Sequence, residues 1–139
     1  MVNNLQCAIE LLRKEDYTCV LCKESIVYTS RDRGIKPLLN WLDHGIDIKG
    51  FSVADKVVGR GAAFLYVLLE VKELYARVVS EAALEVLYAH HISVTYEKKV
   101  EFITNRSGTG VCPMEQATKG IESPLKALEA LRHALKELS

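Results

Sequence analysis

Leu5, Ala8, Ile9 and Leu12 recur at the spacing of one helix face, and Asn3 or Asn4 stands ready as a cap. The chain is therefore expected to open with an amphipathic helix. Tyr17 to Cys22 and Ile26 to Thr29 are β-rich runs separated by Lys23-Glu24-Ser25, which predicts a tight antiparallel hairpin. Ile35, Leu38, Leu39 and Leu42 mark a second helix, started near Pro37 and stopped by Gly45. From Val53 to Val71 the apolar residues surround the axis instead of forming one stripe. That pattern predicts a central helix buried on nearly all sides, with Gly59 and Gly61 marking close approach of another backbone. A strand (Leu74 to Val79), a helix (Glu81 to His90, capped by Ser80) and a second strand (Ile92 to Tyr96) follow. Strand–helix–strand with a short return implies a right-handed crossover and parallel pairing. Lys98 to Ile103 fits either a fifth strand or irregular chain. Asn105 to Gly110 is a polar loop, Pro113 starts a short helix that Gly120 ends, and Ser123-Pro124 caps a last helix with Leu125, Leu128, Leu131, Leu135 and Leu138 on one face. The expected fold is a single α/β domain over residues 1–139, a three-layer α/β/α sandwich on a mixed sheet, begun by a helix and β-hairpin and closed by a C-terminal helix.

Composition narrows the classes of function. With 139 residues, 49% of them apolar, the chain can bury one core without disulfides or metal. Eighteen basic residues balance eighteen acidic ones, which removes the electrostatic case for nucleic acid or an anionic membrane as partner. Trp41 and the six tyrosines show no regular spacing with basic residues, so no stacking platform for nucleic acid is visible. The opening residues lack a basic stretch followed by an apolar run, and the most apolar segment, Ala62 to Leu69, is far short of the ~20 residues of a membrane span. A cytoplasmic location is expected, with Cys7, Cys19, Cys22 and Cys112 reduced. Cys19-x-x-Cys22 lies on a strand, where residues three apart face opposite sides, so it reads as packing and not as a metal or disulfide pair.

Four blocks carry a resemblance: Tyr17-Thr18-Cys19-Val20-Leu21-Cys22, Arg33-Gly34-Ile35-Lys36-Pro37-Leu38-Leu39, Gly50-Phe51-Ser52-Val53-Ala54-Asp55-Lys56-Val57-Val58-Gly59 and Gly108-Thr109-Gly110-Val111-Cys112-Pro113-Met114-Glu115. In this order they resemble a family of small prokaryotic proteins of unknown function with a cytidine-deaminase-like fold. The resemblance implies that fold and a pocket at the opening of the buried central helix. It does not extend to the metal chemistry of working deaminases, whose zinc is held by a His or Cys two residues before a Glu and by a Pro-Cys-x-x-Cys motif. Here those positions fall on Val53 and Asp55, and near Ala82-Ala83-Leu84-Glu85-Val86. Valine and alanine cannot bind zinc, so the sequence predicts no zinc, no other cofactor and no zinc-dependent deamination.

Asp55 is the first candidate. Placed in the opening turn of the central helix, with Ser52 before it, it either caps backbone N–H groups or serves as a pocket carboxylate. In the second role it is a base, a nucleophile or the acceptor of a covalent adduct of ADP-ribose type, an ester to a ribose anomeric carbon. Lys56 and Arg60 follow closely and can bind phosphate groups; Arg60, amid apolar neighbours, needs a partner in either case. The second candidate is the loop Asn105-Arg106-Ser107-Gly108-Thr109-Gly110 leading to Glu115, where backbone N–H groups and Arg106 can cradle an anion. It lacks the lysine of the common phosphate loop. Cys112 is expected at the cap of the helix that follows, with Glu115 three residues on as in a capping box. It is either structural or a nucleophile activated by a histidine from elsewhere in the chain.

Three functions follow. The favoured one is a metal-free protein binding a nucleotide-like or phosphorylated small molecule near Asp55 and the 105–115 loop. The others are a non-catalytic regulatory or interaction protein and a Cys112-dependent transferase or hydrolase. A homo-oligomer is expected, since zero net charge lets copies approach.

Overall fold

The computed structural model describes residues 3–105 and 107–138. Helix α1 (Asn4–Lys14) is capped by Asn3, whose side-chain oxygen accepts the Gln6 N–H at 3.0 Å, and it buries Ala8 and Leu12. The hairpin β1 (Cys19–Lys23) and β2 (Ile26–Ser30) turns through Glu24, at φ 56°. Helix α2 (Lys36–Asp43) carries Pro37 in its first turn, and Gly45 follows it with φ 64°. Then come β3 (Ser52–Val58), α3 (Arg60–Leu68), β4 (Glu73–Ser80), α4 (Glu81–Ala89), β5 (Ser93–Val100), α5 (Pro113–Ala117) and α6 (Pro124–Leu138).

The strands form one sheet in the order β2-β1-β3-β4-β5. β1 is antiparallel to both β2 and β3, while β3, β4 and β5 are parallel, so the sheet is mixed. Helix α1 covers one face over a small core of Ala8, Leu12, Val20, Cys22, Ala54 and Tyr75. The other face carries the main core, with α3 at its centre and α2, α4, α5 and α6 packed around α3. The three-layer α/β/α arrangement is the one expected. The two thiols of Cys19-x-x-Cys22 fall in different cores, as strand alternation requires.

One element differs from the sequence reading, and it changes the site. The stretch 53–71 is not one helix. Ser52–Val58 is a strand in the middle of the sheet, and the helix begins only at Arg60, after Gly59 at φ −98°, ψ −179°. A strand covered on both faces is apolar without alternation, and a buried helix is apolar without a stripe. The two therefore ran together in the pattern, and the β-branched Val53, Val57 and Val58 were the discriminating signal. Gly59 and Gly61 do mark close approach: a Cβ on Gly61 would lie 2.8 Å from Leu131 Cδ2, and one on Gly59 3.2 Å from Ile103 Cγ1. The strand expected over 92–96 runs on to Val100, so Lys98 to Val100 belong to β5 and Glu101 to Ile103 do not.

The parallel half of the sheet carries a local irregularity. The β3–β4 pairing runs to Asp55↔Ala76 and resumes at Val57↔Val78; β4–β5 runs to Ala76↔Tyr96 and resumes at Val78↔Lys98. Side-chain alternation changes phase across the same step. Val53 and Val58, five residues apart, pack in one core, as do Ala76 and Val79 three apart, while Val57 is 47% exposed. The interruption crosses the sheet at Lys56, Arg77 and Glu97.

Candidate functional site

Asp55 sits on β3, opposite Cys19 of the antiparallel neighbour β1 and beside Ala76 of the parallel neighbour β4. It is not in a helix opening, and it caps nothing. Its side chain is buried, 8% exposed, against Tyr66 in the last turn of α3. The Tyr66 hydroxyl donates to Oδ2 at 2.6 Å, and the Val57 N–H to Oδ1 at 3.3 Å. Tyr66 is itself fully buried, and its hydroxyl lies 3.0 Å from Cys19 Sγ. With the phenol proton committed to the carboxylate, the thiol is the donor in that second contact. The result is a chain of donors, Cys19 to Tyr66 to Asp55.

Burial pushes the Asp55 carboxyl up to about 6, against the opposing pull of the hydrogen bonds from Tyr66, Val57 and Lys56. Burial also pushes the Cys19 thiol and the Tyr66 phenol well up, and the Asp55 charge adds to both. All three shifts share one origin, a charge held away from water with no cation among the described residues against it. At pH 7 roughly ten Asp55 side chains are ionised for each protonated one, while thiol and phenol stay protonated. A carboxylate in this state can take a proton or attack an electrophile.

A second buried carboxylate is Glu115, 6% exposed. Oε1 accepts the Arg60 N–H at 3.2 Å, the first amide of α3, and the hydroxyl of Ser80; Oε2 accepts the Ile103 N–H. Ser80 in turn caps α4, accepting the Ala83 N–H at 3.1 Å. The charge of Glu115 thus rests where the N-termini of α3 and α4 converge, a place that favours an anion. Cys112 precedes α5 but its side chain makes no cap bond, and Glu115 turns inward. No capping box forms, because the three inward donors outcompete one exposed N–H.

Arg60 bridges the same region. Nε donates to Thr118 O at 3.0 Å and Nη1 to Ala82 O at 3.4 Å, while Nη2 donates to Ile121 O. Glu85 lies 4.0 Å away and the Phe64 ring sits under the guanidinium. These carbonyls are the partners the sequence demanded of a cation among apolar neighbours. They tie the segment after α5 to the starts of α3 and α4.

The other candidates fall elsewhere. Ser52 Oγ donates to Glu73 Oε2 at 2.6 Å, three residues before Asp55. Lys56 lies on the α1 side, 3.8 Å from Asp16. The Asn105 loop is a closed turn: the Asn105 carbonyl accepts the Gly108 N–H at 3.0 Å, and its side-chain oxygen accepts the Thr109 N–H at 3.0 Å and the Ser107 hydroxyl at 3.1 Å. Asn105 N donates to Gly110 O at 2.8 Å, and Gly108 adopts φ 71°. Those N–H groups already have acceptors within the loop. Arg106 lies outside the described residues. His44 bonds Asn40 O at the end of α2 and His133 faces Glu137 on α6, so neither is engaged with Cys112. An open depression lined by Lys126, Glu129, Ala130 and His133 lies on α6 and includes none of the candidate site residues Asp55, Arg60, Cys112 and Glu115.

The expected site therefore divides. Asp55 stands with Tyr66 and Cys19, which the sequence reading did not select; Arg60 and Glu115 meet at the helix starts with Ser80, also unselected; the 105–110 turn is separate. Four residues of strand, about 13 Å, separate Asp55 from Gly59. The only sequence signal for Tyr66 was a hydroxyl-bearing ring in a helix otherwise apolar all round. With the helix starts located, the residues there are Gly59-Arg60-Gly61 and Ser80-Glu81-Ala82-Ala83, none of them His or Cys. Among the described residues no three His, Cys, Asp or Glu side chains converge as a metal would require.

A family model described as "TM1506: Domain of unknown function (DUF1893)" matches residues 7–135. The chain belongs to this family. A crystal structure of a DUF1893 family protein (TM1506) from Thermotoga maritima superposes with a TM-score of 0.85 at 26% identity, over 99% of this chain and 91% of that one. Two further solved structures are similar at a TM-score of 0.44, too low to carry an argument. A diaminohydroxyphosphoribosylaminopyrimidine deaminase/5-amino-6-(5-phosphoribosylamino)uracil reductase from Thermotoga maritima matches at 13% identity, over 68% of this chain and 35% of its own. A dCMP deaminase from the cyanophage S-TIM5 matches at 12%, over 70% and 94%. No curated protein matches the chain. DUF1893 membership fixes the fold and leaves the chemistry to be argued from the residues.

Proposed function

We propose that this DUF1893 protein is a metal-free binding protein for a nucleotide-like or phosphorylated small molecule, with Asp55 as the group that acts on it. The observation that carries the reading is a buried carboxylate with no cation among the described residues against it, held by one phenol and backbone N–H groups. A fold gains nothing in stability from such a charge, and apolar or amide residues fill the same space at lower cost. Groups kept under that penalty concentrate at working sites. Tyr66 holds the carboxylate by one oxygen and keeps it an acceptor, and Cys19 fixes the phenol in turn. Acting as nucleophile, the carboxylate oxygen would form an ester to an anomeric carbon while the leaving group departs with the bonding pair.

The test uses the full chain and its Asp55→Asn variant. Intact-mass spectra of both, as purified and after incubation with nucleotides and nucleotide sugars, report a covalent adduct. Melting curves against the same compounds and phosphosugars, taken in excess inorganic phosphate so that any site for phosphate alone is already filled, report binding. The expected outcome is an adduct or a rise in melting temperature in the wild type that Asp55→Asn lacks. Identical responses in the two proteins would leave Asp55 without a function.

A further inference from the structure

We infer that the α1 face of the sheet carries a second site, independent of Asp55, that takes a phosphate group between Arg77, Lys56 and the Tyr75 hydroxyl. Three observations support it. Tyr75 is 5% exposed, its Oη is buried, and among the described residues nothing hydrogen-bonds to it. A buried hydroxyl left without a partner costs on the order of 1–3 kcal/mol and is rare in folded proteins. Two residues on, Arg77 is half-buried, and no hydrogen bond or ion pair within the described residues reaches its guanidinium. On the neighbouring strand the register places Lys56 beside it, since Asp55 pairs with Ala76 and Val57 with Val78. Two cations side by side on adjacent strands repel.

The counter-charges in reach are already engaged at long range. Lys56 is 3.8 Å from Asp16, which is almost fully exposed, and Glu97, beside Arg77 on β5, is 3.9 Å from Arg13. Arg13 also lies over the Tyr75 ring, 5.9 Å from its centre. Three cations, Arg13, Lys56 and Arg77, meet two carboxylates, Asp16 and Glu97, along this row, which leaves one positive charge over, and the Tyr75 phenol and the Arg77 guanidinium have no acceptor among the described residues. A surplus positive charge beside donors without acceptors calls for an anion with several acceptor oxygens, and a phosphate group supplies them. The interruption of the pairing at Lys56 and Arg77 is local to this row, as irregularities that re-aim side chains beside a site are.

The ligand is a phosphate group, either free or at the end of a small organic molecule. Calorimetric titrations of the full chain at constant ionic strength, with inorganic phosphate and separately with ribose 5-phosphate, test it. The expected result is saturable binding that Arg77→Gln weakens roughly tenfold or more. Tighter binding of ribose 5-phosphate would assign an organic phosphate, and equal binding the free ion. Tyr75→Phe gives a sign that a structural role does not: the phosphate-free protein keeps or gains melting temperature, while phosphate binding weakens. Asp55→Asn leaves the phosphate response intact, so this site and the Asp55 reading stand or fall separately. The inference is overturned if phosphate acts no differently from chloride of equal ionic strength, if Arg77→Gln responds as the wild type does, or if Tyr75→Phe destabilises the phosphate-free protein.

Discussion

Replacing Asp55 by asparagine keeps the side chain's shape and removes its charge, and the structure predicts a gain of stability whose size depends on pH. The carboxyl is raised from its ordinary 3.8 to about 6. At 1.36 kcal/mol per tenfold change in proton affinity, the charged form costs the fold about 3 kcal/mol. Because the folded value lies above the unfolded one, the native state binds more protons. The stability this group leaves intact is fully present below pH 3.8 and lost as pH rises through about 6. Asparagine removes the penalty but turns an N–H toward either Tyr66 or Val57, which forfeits one hydrogen bond, about 1 kcal/mol. At pH 8 the variant should be more stable by about 1–2 kcal/mol, or roughly 3–7 °C in melting temperature. Between pH 8 and pH 5 the wild type recovers about 1.4 kcal/mol from protonation of this one group, so the gap should nearly close. Urea unfolding of both proteins from pH 5 to pH 8 measures it, and the difference between the two curves isolates Asp55 from every other carboxylate. An Asp55→Asn protein that is less stable at pH 8, or a gap that does not change with pH, would refute a buried carboxylate without a counter-charge.

Two further predictions concern the helix starts. Glu115→Ala strands the Arg60 N–H, the Ser80 hydroxyl and the Ile103 N–H and should cost about 3 kcal/mol or more in urea unfolding, with Glu115→Gln closer to 1–2 kcal/mol. Gly61→Ala improves helix propensity by about 1 kcal/mol yet places a Cβ 2.8 Å from Leu131 and 3.3 Å from Met114. It should lower stability by about 1–2 kcal/mol net, and a raised melting temperature would show that α6 yields at that contact.

The amphipathic helices were legible in the chain because each has a polar side, and the hairpin because polar turn residues divide two β-rich runs. Asn3 caps α1, Pro37 and Gly45 bracket α2, and Glu24-Ser25 turns the hairpin, all through local chemistry that needs no tertiary partner. The order strand–helix–strand around α4 likewise fixed parallel pairing, since a short return permits only a crossover. The balance of charge is also a property of the letters alone. Only tertiary structure decided the rest. Where β3 and α3 are covered on all sides, no period survives in the sequence, so the boundary at Gly59 appears only once the sheet and helices enclose it. The partners of Asp55 come from Tyr66, eleven residues on, and Cys19, across the sheet. Glu115 reaches Arg60 and Ser80 from far along the chain. Pattern within one element reports which side is buried, but which buried groups meet is set by register and packing between elements, and those carry no mark in the local sequence.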